Sequence, residues 1–231
     1  MELSPRLQSI ARQVPQGARL ADVGTDHGYL PVWLLLNGRI ERAVAADLRA
    51  GPLDRARQTA RQYGQMENIS FRLCDGLANI GVEEVDTVVI AGMGGETIAA
   101  ILEAAPWTRQ GKLLLLQPMT GAPRLRQWLQ THGYSIEKET ISCEGNKLYS
   151  IWAVQGGSMP PLSPAELWAG VESDDPLRPA YLAMLTEKAE KALQGHLAAQ
   201  RPDQAVIAYL ETVLSGLRKM KKEWRPNDHS G

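Results

Sequence analysis

Short, continuous apolar segments alternate with longer segments whose apolar residues recur at helical spacing. Each short apolar segment predicts a strand, at residues 19–23, 43–46, 69–73, 87–90 and 113–116. The longer segments predict helices, and the first begins at Ser4-Pro5, because serine caps helices well and proline suits the first turn. Strands without polar alternation are typical of a parallel sheet covered on both faces. The predicted fold class is therefore α/β, with a mostly parallel, Rossmann-like sheet and helices on both faces.

The pattern changes after residue 133. Residues 134–140 and 148–154 predict two strands joined as a hairpin, which would place one antiparallel strand in the sheet. A stretch rich in glycine and proline then follows, and strand signals disappear beyond it. Two sets of apolar residues at helical spacing come next and predict a pair of antiparallel, coiled-coil-like helices. We therefore expect a cofactor-binding domain at residues 1–157 and a C-terminal helical domain at residues 158–231.

Composition narrows the class of protein. The chain has 231 residues and a formal net charge of −1, so contact with a nucleic acid would depend on a local basic patch. Its two cysteines, Cys74 and Cys143, are too few for a disulfide framework and lack metal-ligand spacing, so no metal site is predicted. No apolar run has the length of a membrane helix, and no signal peptide is apparent. A cytoplasmic protein is expected.

The ends of the predicted strands carry the candidate chemistry. Five of these ends have polar or glycine-rich sequences, which are Asp22-Val23-Gly24-Thr25-Asp26-His27-Gly28, Asp47, Cys74-Asp75-Gly76-Leu77, Ala91-Gly92-Met93-Gly94-Gly95 and Gln117-Pro118. The carboxyl ends of parallel strands meet at one edge of a sheet, and ligands bind there. We therefore expect these segments to line one cleft.

The first glycine turn contains two carboxylates, those of Asp22 and Asp26. A turn between a strand and a helix usually binds phosphate, which these carboxylates would repel. They suit a cationic ligand better, and among cofactors this indicates S-adenosylmethionine (SAM), which has a sulfonium and an amino group. Either aspartate could contact the amino group. A lone histidine in such a turn is usually a polar cap, so no direct chemical role follows for His27.

The later strand ends predict the other contacts of the cofactor. Asp47 follows Gly24 at the usual distance for an acid that binds a ribose diol. Asp75 can accept a hydrogen bond from an adenine amino group, although Asp-Gly is also a common turn. The run Gly92 to Gly95 is expected to leave backbone N–H and C=O groups bare beside the reacting centre.

These motifs together resemble those of the bacterial TrmK family. The resemblance is carried by Asp22 to Pro31, Asp75-Gly76-Leu77, Ala91 to Gly95 and Gln117-Pro118, and it covers residues 1–155 best. The family consists of class I SAM-dependent methyltransferases that methylate N1 of the adenine at nucleotide 22 of tRNA. The resemblance implies the same cofactor and tRNA substrate here, and a small coiled-coil-like domain at the C-terminal end.

The site residues follow from the motifs and the resemblance together. Asp26 is predicted as a catalytic carboxylate, which would orient the base or stabilise the positive charge of the product. The predicted cofactor-binding residues are Asp22, Gly24, Thr25, His27, Gly28, Asp47, Leu48, Asp75, Gly76, Gly92, Met93 and Gly94. Basic residues could line the rim for tRNA, namely Arg6, Arg12, Arg124, Arg126, Lys147 and the cluster Arg218, Lys219, Lys221, Lys222 and Arg225.

Other functions remain open at this point. A SAM-dependent methyltransferase could act on another RNA, a protein or a small molecule, although the C-terminal helices favour a large substrate. An NAD-dependent oxidoreductase would need a Gly-x-Gly-x-x-Gly turn, whereas three residues separate Gly24 from Gly28. A third reading is a binding module without catalytic activity, in which the C-terminal helices mediate assembly. The sequence leaves the oligomeric state and the choice of tRNA species open.

Overall fold

One sheet organises residues 1–159 in the computed structural model, which describes residues 1–171 and 173–225. Its strands are β1 (Leu20–Val23), β2 (Ala43–Asp47), β3 (Ile69–Leu73), β4 (Thr87–Gly94), β5 (Leu113–Thr120), β6 (Tyr134–Glu144) and β7 (Lys147–Gly156). They lie in the order β3-β2-β1-β4-β5-β7-β6. Strands β1 to β5 are parallel, and β7 is antiparallel to both β5 and β6. The predicted parallel sheet with one antiparallel strand is confirmed.

Helices cover both faces of the sheet. They are α1 (Pro5–Gln13), α2 (Tyr29–Leu36), α3 (Ala50–Gln62), α4 (Gly95–Ala104) and α5 (Ala122–Thr131). Strand β4 is apolar without alternation because both of its faces are buried. Val88 and Ile90 belong to one hydrophobic cluster, and Val89 belongs to the other. Helices α4 and α5 pack into the first cluster, and α1 and α2 pack into the second.

The strand order predicts a ligand-binding crevice at the carboxyl ends of β1 and β4. The chain builds outward from β1 to β2 and β3, then crosses back so that β4 pairs with the other side of β1. Such a reversal leaves a crevice beyond the carboxyl ends of the two central strands, where ligands of this fold bind.

Strands β4 and β5 are longer than the sequence predicts. The apolar pattern stops at Ile90 and Leu116, yet the ladder continues with irregular register through the pairs Met93–Pro118 and Gly94–Thr120. Glycine and proline are poor strand formers, which is why the pattern underestimates both strands. Most of the glycine run therefore belongs to the carboxyl end of β4 and is not a free loop.

The second compact unit spans residues 160–231, of which residues 172 and 226–231 lie outside the described part. It contains α6 (Pro164–Ala169), α7 (Arg178–Leu197) and α8 (Gln204–Glu223), and α7 packs against α8. The predicted helix pair is present, whereas α6 was not predicted because its six residues are too few for a periodic pattern. The separate roles expected for residues 1–157 and 158–231 stay predictions. Among the described helices, none combines the length and apolar character needed to cross a bilayer.

Candidate functional site

The carboxyl ends of the central strands open into a cleft of about 900 Å³. All but two of the residues predicted for catalysis and cofactor binding line it, namely Asp22, Gly24, Thr25, Asp26, His27, Asp47, Leu48, Asp75, Gly76, Gly92 and Met93. The two exceptions are Gly28 and Gly94. The structure thus brings together the ends of β1 to β4, as the parallel topology requires.

The first two backbone N–H groups of the glycine turn after β1 form hydrogen bonds within the protein and do not face a ligand. The N–H groups of Gly24 and Thr25 both donate to the carbonyl oxygen of Ala46 in β2, at 2.8 and 3.1 Å. Gly24 has a φ of 73°, and a Cβ added there would lie 2.3 Å from Cε of Met93. The positive φ is what favours glycine at this turn, and the absent side chain leaves room that the end of the Met93 side chain fills.

Two buried carboxylates face the cleft at the ends of β1 and β2. Asp22 accepts a hydrogen bond from the Thr25 hydroxyl at 2.6 Å, and Asp47 accepts one from the N–H of Arg49 at 2.9 Å. Burial raises the pKa of Asp22 to about 6, the Thr25 hydrogen bond opposes this rise, and the negative charge of Asp47 adds to it. In the described part of the chain no cationic side chain pairs with either carboxylate. The site therefore attracts a positively charged group.

Asp26 lies at the rim of the cleft and is already paired. Its carboxylate is 2.5 Å from Nη2 of Arg55 in α3 and 3.8 Å from Nε2 of His27, and its side chain is 59% exposed. Its φ of 45° is unusual for a residue other than glycine, although aspartate tolerates that region. The backbone and Arg55 together hold this carboxylate above the turn.

Asp75 and Leu48 supply polar and apolar surface at the ends of β3 and β2. Asp75 is exposed, and its carboxylate has no hydrogen-bond partner among the described residues. Leu48 is 66% exposed although it is a large apolar residue. An acceptor and an apolar side chain at neighbouring strand ends suit the edge and the face of an aromatic ring.

The N–H of Gly92 is not bare, contrary to the prediction from the glycine run. It donates to Oε1 of Gln117 at 3.1 Å, and the same oxygen accepts a hydrogen bond from Nη1 of Arg6 at 2.9 Å. Nε2 of Gln117 donates to the carbonyl oxygen of Pro118 at 3.0 Å, and the side chain is fully buried. Gln117 therefore ties α1 to the end of β4 and satisfies the donor that was expected to face a ligand.

Gly28 and Gly94 lie outside the cleft lining. Close packing inside the fold, and not contact with a ligand, explains why glycine stands at these two positions. A Cβ at Gly28 would lie 3.0 Å from Cβ of Ala56, so this glycine lets α2 begin close to α3. A Cβ at Gly94 would lie 3.2 Å from Oγ1 of Thr120, and one at Gly95 would lie 2.7 Å from the carbonyl oxygen of Gly121. The end of the glycine run thus packs against the segment after β5.

Arg6 was predicted at the rim as a basic residue, whereas sequence reasoning missed that its neighbours also form a wall of the cleft. Leu3, Ser4, Arg6 and Leu7 line it, together with Thr97 and Met119. The local pattern of α1 indicates only a packing helix, and the partner of Arg6 is 111 positions away. No signal within the helix could have identified this role.

One residue predicted for the basic rim is a core residue. Arg126 is fully buried, it contacts Glu139 at 2.5 Å, and its guanidinium lies 4.2 Å from the ring centroid of Trp152. The prediction that Arg126 contributes to the rim is wrong, because these partners in β6 and β7 allow an arginine to be buried. Arg12, Arg124 and Lys147 are exposed, as are the basic residues of the cluster near the end of α8.

The chain is similar to known methyltransferases. A family described as a methyltransferase domain matches residues 3–152. The tRNA (adenine(22)-N(1))-methyltransferase of Bacillus subtilis is 40% identical over 158 residues, which are 68% of this chain and 66% of that protein's length.

Solved structures match over nearly the whole chain. The crystal structure of the B. subtilis m1A22 tRNA methyltransferase TrmK has a TM-score of 0.84 and 29% identity, and the match covers 95% of this chain and 99% of that one. A Streptococcus pneumoniae protein solved in complex with S-adenosyl-L-methionine has a TM-score of 0.82 and 34% identity, over 95% and 100% of the two chains.

Proposed function

The chain belongs to the TrmK family of methyltransferases, and we propose that it transfers a methyl group from SAM to N1 of the adenine at nucleotide 22 of tRNA. The observation that carries this proposal is the pair of buried carboxylates, Asp22 and Asp47, in a cleft at the switch point of the sheet. A nicotinamide dinucleotide would bring its pyrophosphate against Asp22 and Asp26 of the glycine turn, which argues against the oxidoreductase alternative.

The residues of the cleft fit SAM. Asp22 lacks a cationic partner in the described part of the chain, and the amino group of SAM would supply the missing positive charge. Asp47 would accept hydrogen bonds from the ribose hydroxyl groups. Asp75 would accept from the adenine amino group, and the exposed side chain of Leu48 would cover the adenine face. The amino group, the ribose and the adenine of the cofactor thus each have a residue of matching chemistry.

The reaction needs little from the protein beyond positioning. When bound, SAM supplies a methyl group on a positively charged sulfur. N1 of adenine has a neutral lone pair, so the new N–C bond can form as the C–S bond breaks, with no base removing a proton first. The protein's contribution is then to align the base and to exclude water.

Asp26 is the carboxylate proposed to face the substrate. The adenine ring gains a positive charge as the methyl group arrives, and a fixed carboxylate at the rim stabilises that charge. The ion pair with Arg55 holds the Asp26 side chain in place, while the Asp26 side chain remains 59% exposed and open to a ligand. Asp22 is buried beneath the turn and is assigned to the cofactor.

The proposed tRNA substrate gives a role to exposed basic residues that take no part in the methyl transfer itself. Arg12 and Lys147 are exposed on the first unit, and the cluster near the end of α8 is exposed on the second. Contacts with phosphate groups would make tRNA binding weaken steeply with salt despite the net charge of −1. A tRNA substrate also implies that the protein acts in the cytoplasm.

The test is transfer of labelled methyl from SAM to an unmodified tRNA transcript. Labelling is expected, together with a stop of primer extension at nucleotide 22, because a methyl at N1 blocks base pairing. A transcript with guanine at that position should accept no label. Equal labelling of the two transcripts would refute the proposed target, and labelling of neither would refute the proposed substrate.

A further inference from the structure

Two aromatic rings are stacked on each other in the wall of the cleft. The ring centroids of His27 and Tyr29 are 5.0 Å apart, and the ring planes differ by only 8°. Both residues line the cleft. Tyr29 is 43% exposed, and the side chain of His27 is 40% exposed. Two partly exposed aromatic rings thus lie against each other in the lining of the cleft.

The fold itself does not require this stack. Tyr29 is the first residue of α2, and other residues of that helix pack into or against the core, namely Leu30, Val32, Trp33, Leu34 and Leu35. Tyr29 belongs to neither hydrophobic cluster, and its hydroxyl has no hydrogen-bond partner in the described residues. A large ring that is half exposed, with neither a packing role nor a polar anchor, is suited to binding a planar ligand.

The position of the stack distinguishes between the two adenine rings of the proposed reaction. The adenine of SAM is assigned to Leu48 and Asp75, at the ends of β2 and β3. His27 and Tyr29 instead follow β1, beside Asp26, which is the carboxylate assigned to the substrate. A second planar surface at this place corresponds to a second base.

We infer that the stacked rings of His27 and Tyr29 form a platform on which the target adenine of the tRNA lies during methyl transfer. This inference rests on the proposed function and deepens it, because it assigns the residue that binds the base. Stacking on an aromatic side chain holds a base without reading its edges, so N1 remains open toward the methyl group. The ring face also attracts the positive charge that develops on the methylated adenine.

Two substitutions of Tyr29 separate the ring from its bulk. Tyr29→Phe keeps the ring, so its kcat/KM for tRNA should clearly exceed that of a variant without the ring. Tyr29→Leu keeps apolar volume at the start of α2 but removes the ring, and it should lower kcat/KM for tRNA by about 5- to 100-fold, as loss of one base–aromatic stack does. Leu36→Ala, an exposed position (44%) at the other end of the same helix, is the matched control and should behave as wild type.

Two further measurements identify what the ring contacts. Titration calorimetry with SAM should give the same affinity for Tyr29→Leu as for the wild type, because the ring is assigned to the substrate. A tRNA with 2-aminopurine at nucleotide 22, bound in the presence of S-adenosylhomocysteine, should fluoresce more brightly with Tyr29→Leu than with Tyr29→Phe, because stacking quenches this base.

The outcomes separate the inference from the proposed function. Wild-type rates in Tyr29→Leu, with active transfer to nucleotide 22, would overturn the platform and leave the function standing. A loss of SAM affinity that accounts for the lower rate would overturn it as well, because the ring would then belong to the cofactor site. Failure of the wild-type protein to methylate tRNA would refute both.

Discussion

Replacing Asp22 with asparagine should stabilise the ligand-free protein and weaken its binding of SAM. Both effects come from the same carboxylate, which is buried at the end of β1 with a second carboxylate, Asp47, nearby. Asparagine has nearly the same shape and keeps an oxygen that can accept the hydrogen bond from Thr25. The substitution therefore removes the charge and little else.

The effect on stability follows from the pKa. Asp22 titrates near 3.8 in an unfolded chain and at about 6 in the folded protein. The folded state therefore binds the proton more tightly, so this group stabilises the fold below pH 4 and its contribution is lost as the pH rises through about 6. A difference of roughly 2 pKa units corresponds to about 3 kcal/mol of destabilisation above pH 6. Asp22→Asn should recover up to about 3 kcal/mol at pH 8 and almost nothing at pH 4.

The effect on binding has the opposite sign. A carboxylate that pairs with the amino group of SAM must be ionised, so the wild-type affinity should fall about tenfold between pH 7 and pH 5. Asp22→Asn loses a charged hydrogen bond, and its affinity at pH 8 should be lower by roughly 10- to 100-fold. The affinity of the variant should no longer depend on pH over this range, which also controls for titration of SAM itself.

Urea unfolding at pH 4 and pH 8 measures the first effect, and titration calorimetry with SAM from pH 5 to pH 8 measures the second. Asp54→Asn, whose side chain is 65% exposed in α3, is the control and should change neither quantity appreciably. The reasoning fails if Asp22→Asn destabilises the free protein at pH 8, or if it binds SAM as tightly as the wild type does.

Three further substitutions test the site and the core. Asp26→Ala should lower the rate of methyl transfer by about 10-fold or more, with SAM affinity unchanged, if its charge stabilises the methylated base. Gly95→Ala should cost roughly 1 to 3 kcal/mol of stability in urea unfolding, because the added Cβ would lie 2.7 Å from the carbonyl oxygen of Gly121. Arg126→Ala should cost about 3 to 5 kcal/mol by the same measurement, because it leaves the largely buried carboxylate of Glu139 without its partner.

Each of these has a control and a contrary result. Gly51→Ala, at a helical position where an added Cβ would meet only Nη1 of Arg55, at an ordinary contact distance of 3.8 Å, should be neutral or slightly stabilising, and an equal loss at both glycines would contradict the packing argument. A double Arg126→Met/Glu139→Leu variant should recover most of the stability lost by Arg126→Ala. Wild-type turnover in Asp26→Ala would eliminate its catalytic role.

The sequence predicted the cleft where the information was local. Asp22, Asp47 and Asp75 lie at or just beyond the ends of apolar segments, and the rule that parallel strands end at one edge brings them together without further knowledge. The choice of a cationic cofactor also needed only the two acids in the turn after β1. These predictions depend on the order of residues along single strands, which the sequence displays.

The rest depends on partners that are distant in sequence. Gln117 joins Arg6 to Gly92, and neither neighbour could be inferred from the residues around Gln117. Whether an arginine is exposed or buried is decided by what surrounds it, and the surroundings of Arg126 come from β6 and β7. Local patterns therefore located the strand ends. They could not show which polar groups would form hydrogen bonds or ion pairs within the protein and so be unavailable to a ligand.

The contact of α1 with the β6–β7 hairpin determines when the cleft is completed during synthesis. The backbone N–H of Arg6 donates to Glu144, 138 positions later, so α1 leaves the ribosome long before its partner exists. At usual rates of translation this interval is on the order of 10 s, during which α1 lacks its contacts with β6 and β7. The wall of the cleft that contains Arg6 is therefore fixed only after the hairpin emerges, and until then a nascent chain has an incomplete cleft.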